Sequence, residues 1–235
     1  AAAVASGALE VSVTDAKTGA FSVSVDDEVW FHSAPVQFSA GGESFTTADG
    51  SLTLAGSSNG TDSDGAGTYT FVRSDWTSKK GDTFSTVIKG YAGGRSNIVF
   101  QSIWPKGAQG TKGSLFPGLL KNTSRLLGHL EYTGSSCGFM VSPGHDLGIS
   151  GGRSKGMVAI VPHSTSGDGP SASLALGPVT EHFANQAVKL DDGLGYGMAS
   201  TFTFAPPGYT QETVLVATSK AHPSPGDSQP ERLSM

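Results

Sequence analysis

The stretch Leu9-Glu10-Val11-Ser12-Val13-Thr14, the turn Asp15-Ala16-Lys17-Thr18-Gly19, and the stretch Ala20-Phe21-Ser22-Val23-Ser24-Val25 decide the fold class. In both arms apolar residues alternate with small polar ones. Successive side chains of a strand point to opposite faces, so each arm has one apolar face and one polar face. Asp26-Asp27-Glu28 then turns the chain into Val29-Trp30-Phe31. Working outward, the same reading predicts strands at Glu43–Thr47, Ser51–Ala55, Thr68–Arg73, Thr83–Tyr91, Asn97–Trp104, Leu126–Tyr132, Ser171–Leu176, Gly197–Phe204 and Glu212–Ala217. Asp49-Gly50 ahead of Ser51 is a hairpin signal, because a type I′ turn needs two residues that tolerate positive φ. Gly156–Val161 is continuously apolar and reads as a strand buried on both faces.

Only Thr180–Leu190 competes as a helix: Phe183, Ala184, Ala187 and Val188 share a helical face, with Thr180 as its cap. Helix and strand both stay open there. About a dozen short strands with Gly/Pro turns predict an all-β chain, a two-sheet antiparallel β-sandwich, with a closed barrel as the alternative. No repeat of fixed period is visible, which counts against a propeller. Residues 1–7 read as a processed or truncated end, 8–218 as the sandwich, and 219–235 as a disordered polar tail holding Pro223, Pro225 and Pro230. Gly56–Gly67 reads as a mobile loop, and Gly193–Gly197 (GLGYG) and Gly148–Gly156 (GISGGRSKG) as turns.

The 235 residues suffice for a sizeable core. Charged residues are only 15%, against about 25% in an ordinary globular domain. Net charge is −5, and the densest basic spot is Lys79-Lys80, so the concentrated basic surface needed by a nucleic-acid or anionic-membrane binder is missing. No run of 18 apolar residues predicts a membrane-spanning helix. The single cysteine, Cys137, forms no intrachain disulfide, which fits a reduced compartment or a large secreted domain. Asn59 (NGT) and Asn122 (NTS) are N-glycosylation triplets in polar context, and they favour a secreted location.

The motifs that carry chemistry are few. GSSCG at Gly134–Gly138 matches a nucleophile elbow around Ser136, but FMVSPGHD follows, and Pro143 and Gly144 preclude the helix that presents the serine. It reads as a glycine-rich loop. GTDSDG at Gly60–Gly65 lacks an EF-hand's terminal carboxylate, because Phe71 stands at that position. Asp62 and Asp64 there read as an exposed acidic loop or a looser cation site. The six histidines are His32, His129, His145, His163, His182 and His222; none pairs at i, i+2 or i, i+4. His145-Asp146, in the tight SPGHDLG loop, is a candidate substrate contact. Glycosidic cleavage needs two carboxylates, yet Asp26, Asp27, Glu28, Asp191 and Asp192 all sit in predicted turns. Trp30 and Trp104 are candidate sugar platforms, since sugar rings have apolar faces that stack on aromatic planes. Core packing is the commoner fate of a strand tryptophan. No catalytic residue, metal or cofactor is implied.

Several segments carry a family resemblance. VWFHSAPVQFSAGGESFTTADGSLTL (Val29–Leu54) contains Trp30, Ser33, Gly42, Thr46-Thr47 and Asp49-Gly50-Ser51-Leu52, and Gly60-Thr61-Asp62 follows. IVFQSIWPKGAQGT (Ile98–Thr111), LGHLEYTG (Leu127–Gly134) and GMVAIVP (Gly156–Pro162) come in the same order. This pattern, over Ala8–Ala217, resembles the early β-domain of α-galactosidase/raffinose-synthase-like glycoside hydrolases of algae and protists. The resemblance implies a galactose-mutarotase-like β-supersandwich preceding a (β/α)₈ barrel that holds the catalytic carboxylates. Gly144–Lys155 departs from the family's pattern. The expected role is a secreted, non-catalytic domain that packs on a glycosidase catalytic partner or touches glycan. The alternatives are a self-associating subunit of an extracellular assembly and a small β-sandwich hydrolase or lyase acting on carbohydrate.

Overall fold

The structure, a computed structural model, describes residues 2–93, 96–122, 127–132, 139–142, 153–154, 157–162, 172–180, 184–199 and 201–220. One sheet has ten strands: β1 (Ala3–Ser6), β2 (Leu9–Asp15), β3 (Ala20–Val25), β4 (Glu28–Ser33), β5 (Gln37–Ala40), β6 (Glu43–Thr46), β12 (Leu115–Lys121), β15 (Arg153–Ser154), β18 (Asn185–Leu190) and β19 (Gly193–Met198). The other has nine: β7 (Leu52–Asp64), β8 (Gly67–Ser78), β9 (Thr83–Tyr91), β10 (Asn97–Trp104), β13 (Leu127–Tyr132), β14 (Phe139–Ser142), β16 (Val158–Pro162), β17 (Ala172–Pro178) and β21 (Tyr209–Ser219). A short ribbon pairs β11 (Ala108–Gln109) with β20 (Phe204–Ala205). The strands run β1-β2-β3-β4-β12-β19-β18-β15 in the first sheet, with β5 and β6 attached beside β12, and β14-β13-β16-β17-β21-β10-β9-β8-β7 in the second. Every described pair is antiparallel. The chain is an all-β, two-sheet sandwich, as the alternation predicts.

The opening stretch shows how the pattern becomes a sheet. Leu9 faces Val25, Val11 faces Val23 and Val13 faces Phe21 across β2 and β3, so the apolar positions of both arms fall on one side. Asp26 and Asp27 adopt φ of 50° and 64°, the left-handed values of a two-residue hairpin turn. The apolar sides of the two sheets meet in one continuous core. Phe21 of β3 lies 5.7 Å from Phe100 of β10, Phe38 of β5 stacks 5.1 Å from Phe84 of β9, and Tyr196 of β19 donates to the carbonyl of Leu176 in β17 at 3.2 Å. Aromatic pairs and this hydrogen bond fix how the layers sit on each other.

Two expectations change, and one left open is resolved. Gly56–Gly67 is not a loop: it forms the outer part of a long hairpin in which β7 and β8 pair from Leu52↔Ser78 out to Asp64↔Gly67. Its outer part reaches past the core, and Ser57–Asp64 is exposed throughout, so that stretch carries no apolar signal. Gly193–Gly197 is not a turn but β19, between β12 and β18. Leu194, Tyr196 and Met198 point into the core, and glycines alternate with them where the backbone of β12, paired alongside in the same sheet, comes close. A Cβ on Gly193 or Gly197 would land on the carbonyl oxygen of Leu119 or Ser114, respectively. Thr180–Leu190 resolves as strand β18 over Asn185–Leu190, paired to both β15 and β19. β1, inside the stretch expected to be a processed end, pairs with β2 through Val4↔Val11.

Candidate functional site

The two outer faces differ in chemistry. On the ten-stranded sheet, Glu10, Ser12, Ser24 and His32 point away from the core, the polar surface that a solvated sheet face shows. On the nine-stranded sheet, the registers of β8, β9, β10, β21 and β17 align a different set outward: Val87, Val99, Val214 and Val216, interleaved with Gln101, Glu212, Arg73 and Asp75. Val179 and Val216 are exposed at the β17–β21 side, and Met157, 56% exposed, lies against Gly177.

A groove of about 610 Å³ runs along this face. Val99 and Val214 line it together with Val179, and Asp64, Tyr91, Asn97 and Glu212 supply its polar groups. The β7–β8 hairpin positions Asp64 at its tip, where the Tyr91 hydroxyl donates to the carboxylate at 2.8 Å and Lys89 Nζ stands 3.5 Å away. Lys89 also sits 4.4 Å over the Tyr69 ring, and the Tyr69 and Tyr91 rings are 5.3 Å apart. Across the groove, Gln101 Nε2 donates to Glu212 Oε1 at 2.5 Å. Further along, Arg73 pairs with Asp75 at 2.8 Å, and Ser85 donates to Asp75 at 2.6 Å.

These contacts set the chemistry. The Tyr91 hydrogen bond, the Ala66 backbone N–H and the Lys89 charge hold the Asp64 carboxyl below the ordinary aspartate value. Burial and the bond to Asp64 push the Tyr91 phenol well above its ordinary value, so it stays a donor. A glycosidase's acid must instead hold its proton near neutral pH. Asp64 is driven the opposite way, which suits accepting hydrogen bonds from hydroxyls.

The residues singled out from sequence are distributed differently. Trp104 is 0% exposed, between Phe84 at 5.2 Å and Tyr209 at 5.5 Å, and Trp30 is 1% exposed in the same core. Neither ring offers an open face to a sugar. Asn59 is exposed on β7; Asn122 is half-buried, its amide donating to the Val29 carbonyl at 3.0 Å. Asp26-Asp27 and Asp191-Asp192 occupy two hairpin turns at one end of the ten-stranded sheet, where Lys121 N–H donates to the Asp192 carbonyl between them. Among the described residues, no group of three His, Cys, Asp or Glu side chains gathers to hold a metal, and no helix is long and apolar enough to cross a membrane. His145, Asp146, Ser136, Cys137, His163, His182 and His222 lie outside the described residues, as does most of the expected tail. The groove residues escaped sequence reading because β8, β9, β10 and β21 are distant in the chain; the outward valines of β10 and β21 were the available signal.

No family model matches the chain, and no curated protein does. Solved structures do. A glycoside hydrolase family 97 enzyme from Pseudoalteromonas sp. strain K8, in complex with acarbose, matches with a TM-score of 0.63 at 12% identity, over 94% of this chain and 36% of that one. A β-arabinopyranosidase matches with a TM-score of 0.61 at 12% identity, over 92% of this chain and 40% of that one. The α-N-acetylgalactosaminidase NagBb from Bifidobacterium bifidum, in complex with GalNAc, matches with a TM-score of 0.58 at 16% identity, over 94% and 36%. At such identities the likeness is one of fold. The chain spans little more than a third of the length of the enzymes it matches.

Proposed function

We propose that this chain is the non-catalytic β-sandwich domain of a secreted glycoside-hydrolase-like protein, and that it packs against a glycosidase catalytic partner. The observation that carries this reading is the fold match over nearly the whole chain to about a third of several glycoside hydrolases. The outer face of the nine-stranded sheet is the surface suited to the contact. Its apolar side, Met157, Val179 and Val216, stands exposed where the opposite sheet presents Ser, Glu and His. The charged groups on the same face are already paired, so covering them costs less desolvation than covering free charges. The α-galactosidase-like affiliation and the (β/α)₈ barrel partner belong to this proposal, and the groove beside Asp64 is where glycan would reach the domain. The test is a pull-down with a (β/α)₈ glycosidase barrel encoded beside this chain, together with calorimetric titration of galacto- and gluco-oligosaccharides. Capture of the barrel supports the reading; no capture and no oligosaccharide binding would remove it.

A second reading, a self-associating subunit, is favoured by one observation. Among the described residues, β7 ends its sheet and pairs only with β8, and an open edge invites pairing with another chain. Light scattering that shows a monomer at every concentration eliminates it.

A further inference from the structure

We propose that Asn59 carries an N-linked glycan and that Asn122, which has the same triplet grammar, does not. The inference rests on the secreted part of the reading above and adds a modification site to it. The triplet Asn59-Gly60-Thr61 lies in β7, on the stretch where every residue from Ser57 to Asp64 is exposed. In a strand, residues i and i+2 share a face, so the Thr61 hydroxyl stands on the same side as the Asn59 amide, with Gly60 between them. A shallow depression of about 530 Å³ opens beside the triplet, bounded by Ala2, Ala3 and Thr70. The first sugars therefore have room without displacing any strand.

Asn122 is placed in the opposite way. Its Nδ2 donates to the Val29 carbonyl at 3.0 Å, and its backbone N–H donates to the Trp30 carbonyl at 3.0 Å. The amide nitrogen that would bear the sugar points into the β4 backbone, where β12 joins β4. A transferase would have to reach an amide that is half-buried and held against β4, so attaching a sugar there competes with closing this junction.

The step is a glycosyl transfer. A bond forms between Asn59 Nδ2 and the anomeric carbon of a lipid-linked oligosaccharide diphosphate. The anomeric carbon–oxygen bond breaks, the diphosphate leaves with the electron pair, and the amide proton passes to a base of the transferase. The position has a physical consequence. Asn59 lies about midway along the edge strand of the nine-stranded sheet, so a glycan there obstructs the side on which another strand would pair.

The test is secretion of residues 1–235 from a eukaryotic host, followed by intact mass measurement before and after treatment with peptide N-glycosidase. The host itself routes the chain through a glycosylating compartment, so the result does not depend on where the protein resides in its source or on what it binds. The expected outcome is one glycan on the wild type, retained in Asn122→Gln and lost in Asn59→Gln. Thr61→Ala removes the required hydroxyl but keeps Asn59, and it is expected to lose the glycan while melting like the enzymatically deglycosylated wild type. Absence of any glycan, or a glycan that disappears in Asn122→Gln and persists in Asn59→Gln, overturns the proposal.

Discussion

Asp75 shows how a single residue on the outer face is tuned. Burial alone would raise its carboxyl, but the hydrogen bonds from Arg73 and Ser85 outweigh that and hold it below the ordinary aspartate value. A carboxyl depressed by folding stabilises the native state above its unfolded pKa, about 3.9, and that contribution fades as pH falls through the lower folded value. The ion pair is 36% and 44% exposed, so solvent screening limits the effect to a few tenths of a kcal/mol. Urea denaturation at pH 6 and at pH 3 is expected to show a loss smaller by that amount in Asp75→Asn than in the wild type, since other depressed carboxyls such as Asp64 lose stability in both. The tryptophans carry a different lesson at this scale. The sequence places Trp104 at a strand end, but only the packing of Phe84 and Tyr209 around it decides that the ring is core.

At the scale of elements, β19 is the most constrained strand. The carbonyl oxygen of Ser114 occupies the space a Cβ on Gly197 would need, and backbone cannot swing aside as a flexible side chain can. Gly197→Ala is expected to cost about 3 kcal/mol by denaturant titration. Gly65→Ala, at the hairpin tip with open space around it, is expected to change stability by under about 0.5 kcal/mol. A glycine read from sequence signals a turn as readily as a close approach of backbones, which is why Gly193–Gly197 reads as a turn in sequence and is a strand in the fold. The β7–β8 hairpin is the converse case. It protrudes past the core and is tied at its tip by Tyr91 and Lys89 to Asp64. Tyr91→Phe is expected to speed amide exchange over residues 62–68 while leaving the denaturation midpoint nearly unchanged, because tip opening is a local event. Equal exchange in both proteins would show that the tie does not hold the hairpin.

For the whole molecule, the asymmetry of the two outer faces matters most. Val216→Asp puts a charge on the exposed apolar side without opening the core, since Val216 is 38% exposed. It is expected to lower capture of the catalytic partner at least tenfold while shifting the melting temperature by no more than about 2 °C. His32→Asp, on the polar face of the other sheet, is expected to leave capture unchanged. Equal loss from both substitutions would mean that the contact is not confined to the nine-stranded sheet.

Alternation in Leu9–Val25 and its successors was enough to establish strands, turns and a two-layer core, because side-chain direction repeats every two residues wherever one face is buried. Net charge, the lack of an 18-residue apolar run and Phe71 at the terminal ligand position argued in turn against a basic surface, a membrane-spanning helix and an EF-hand. The groove was beyond these readings. Asp64, Tyr91, Val99 and Glu212 are spread over about 150 positions and meet only because β10 lies between β9 and β21. Strand order across a sheet is a non-local outcome of packing, and no local pattern encodes which strands become neighbours. The same holds for Asn59 and Asn122: their triplets follow one rule in sequence, and only the burial of one amide against β4 sets them apart.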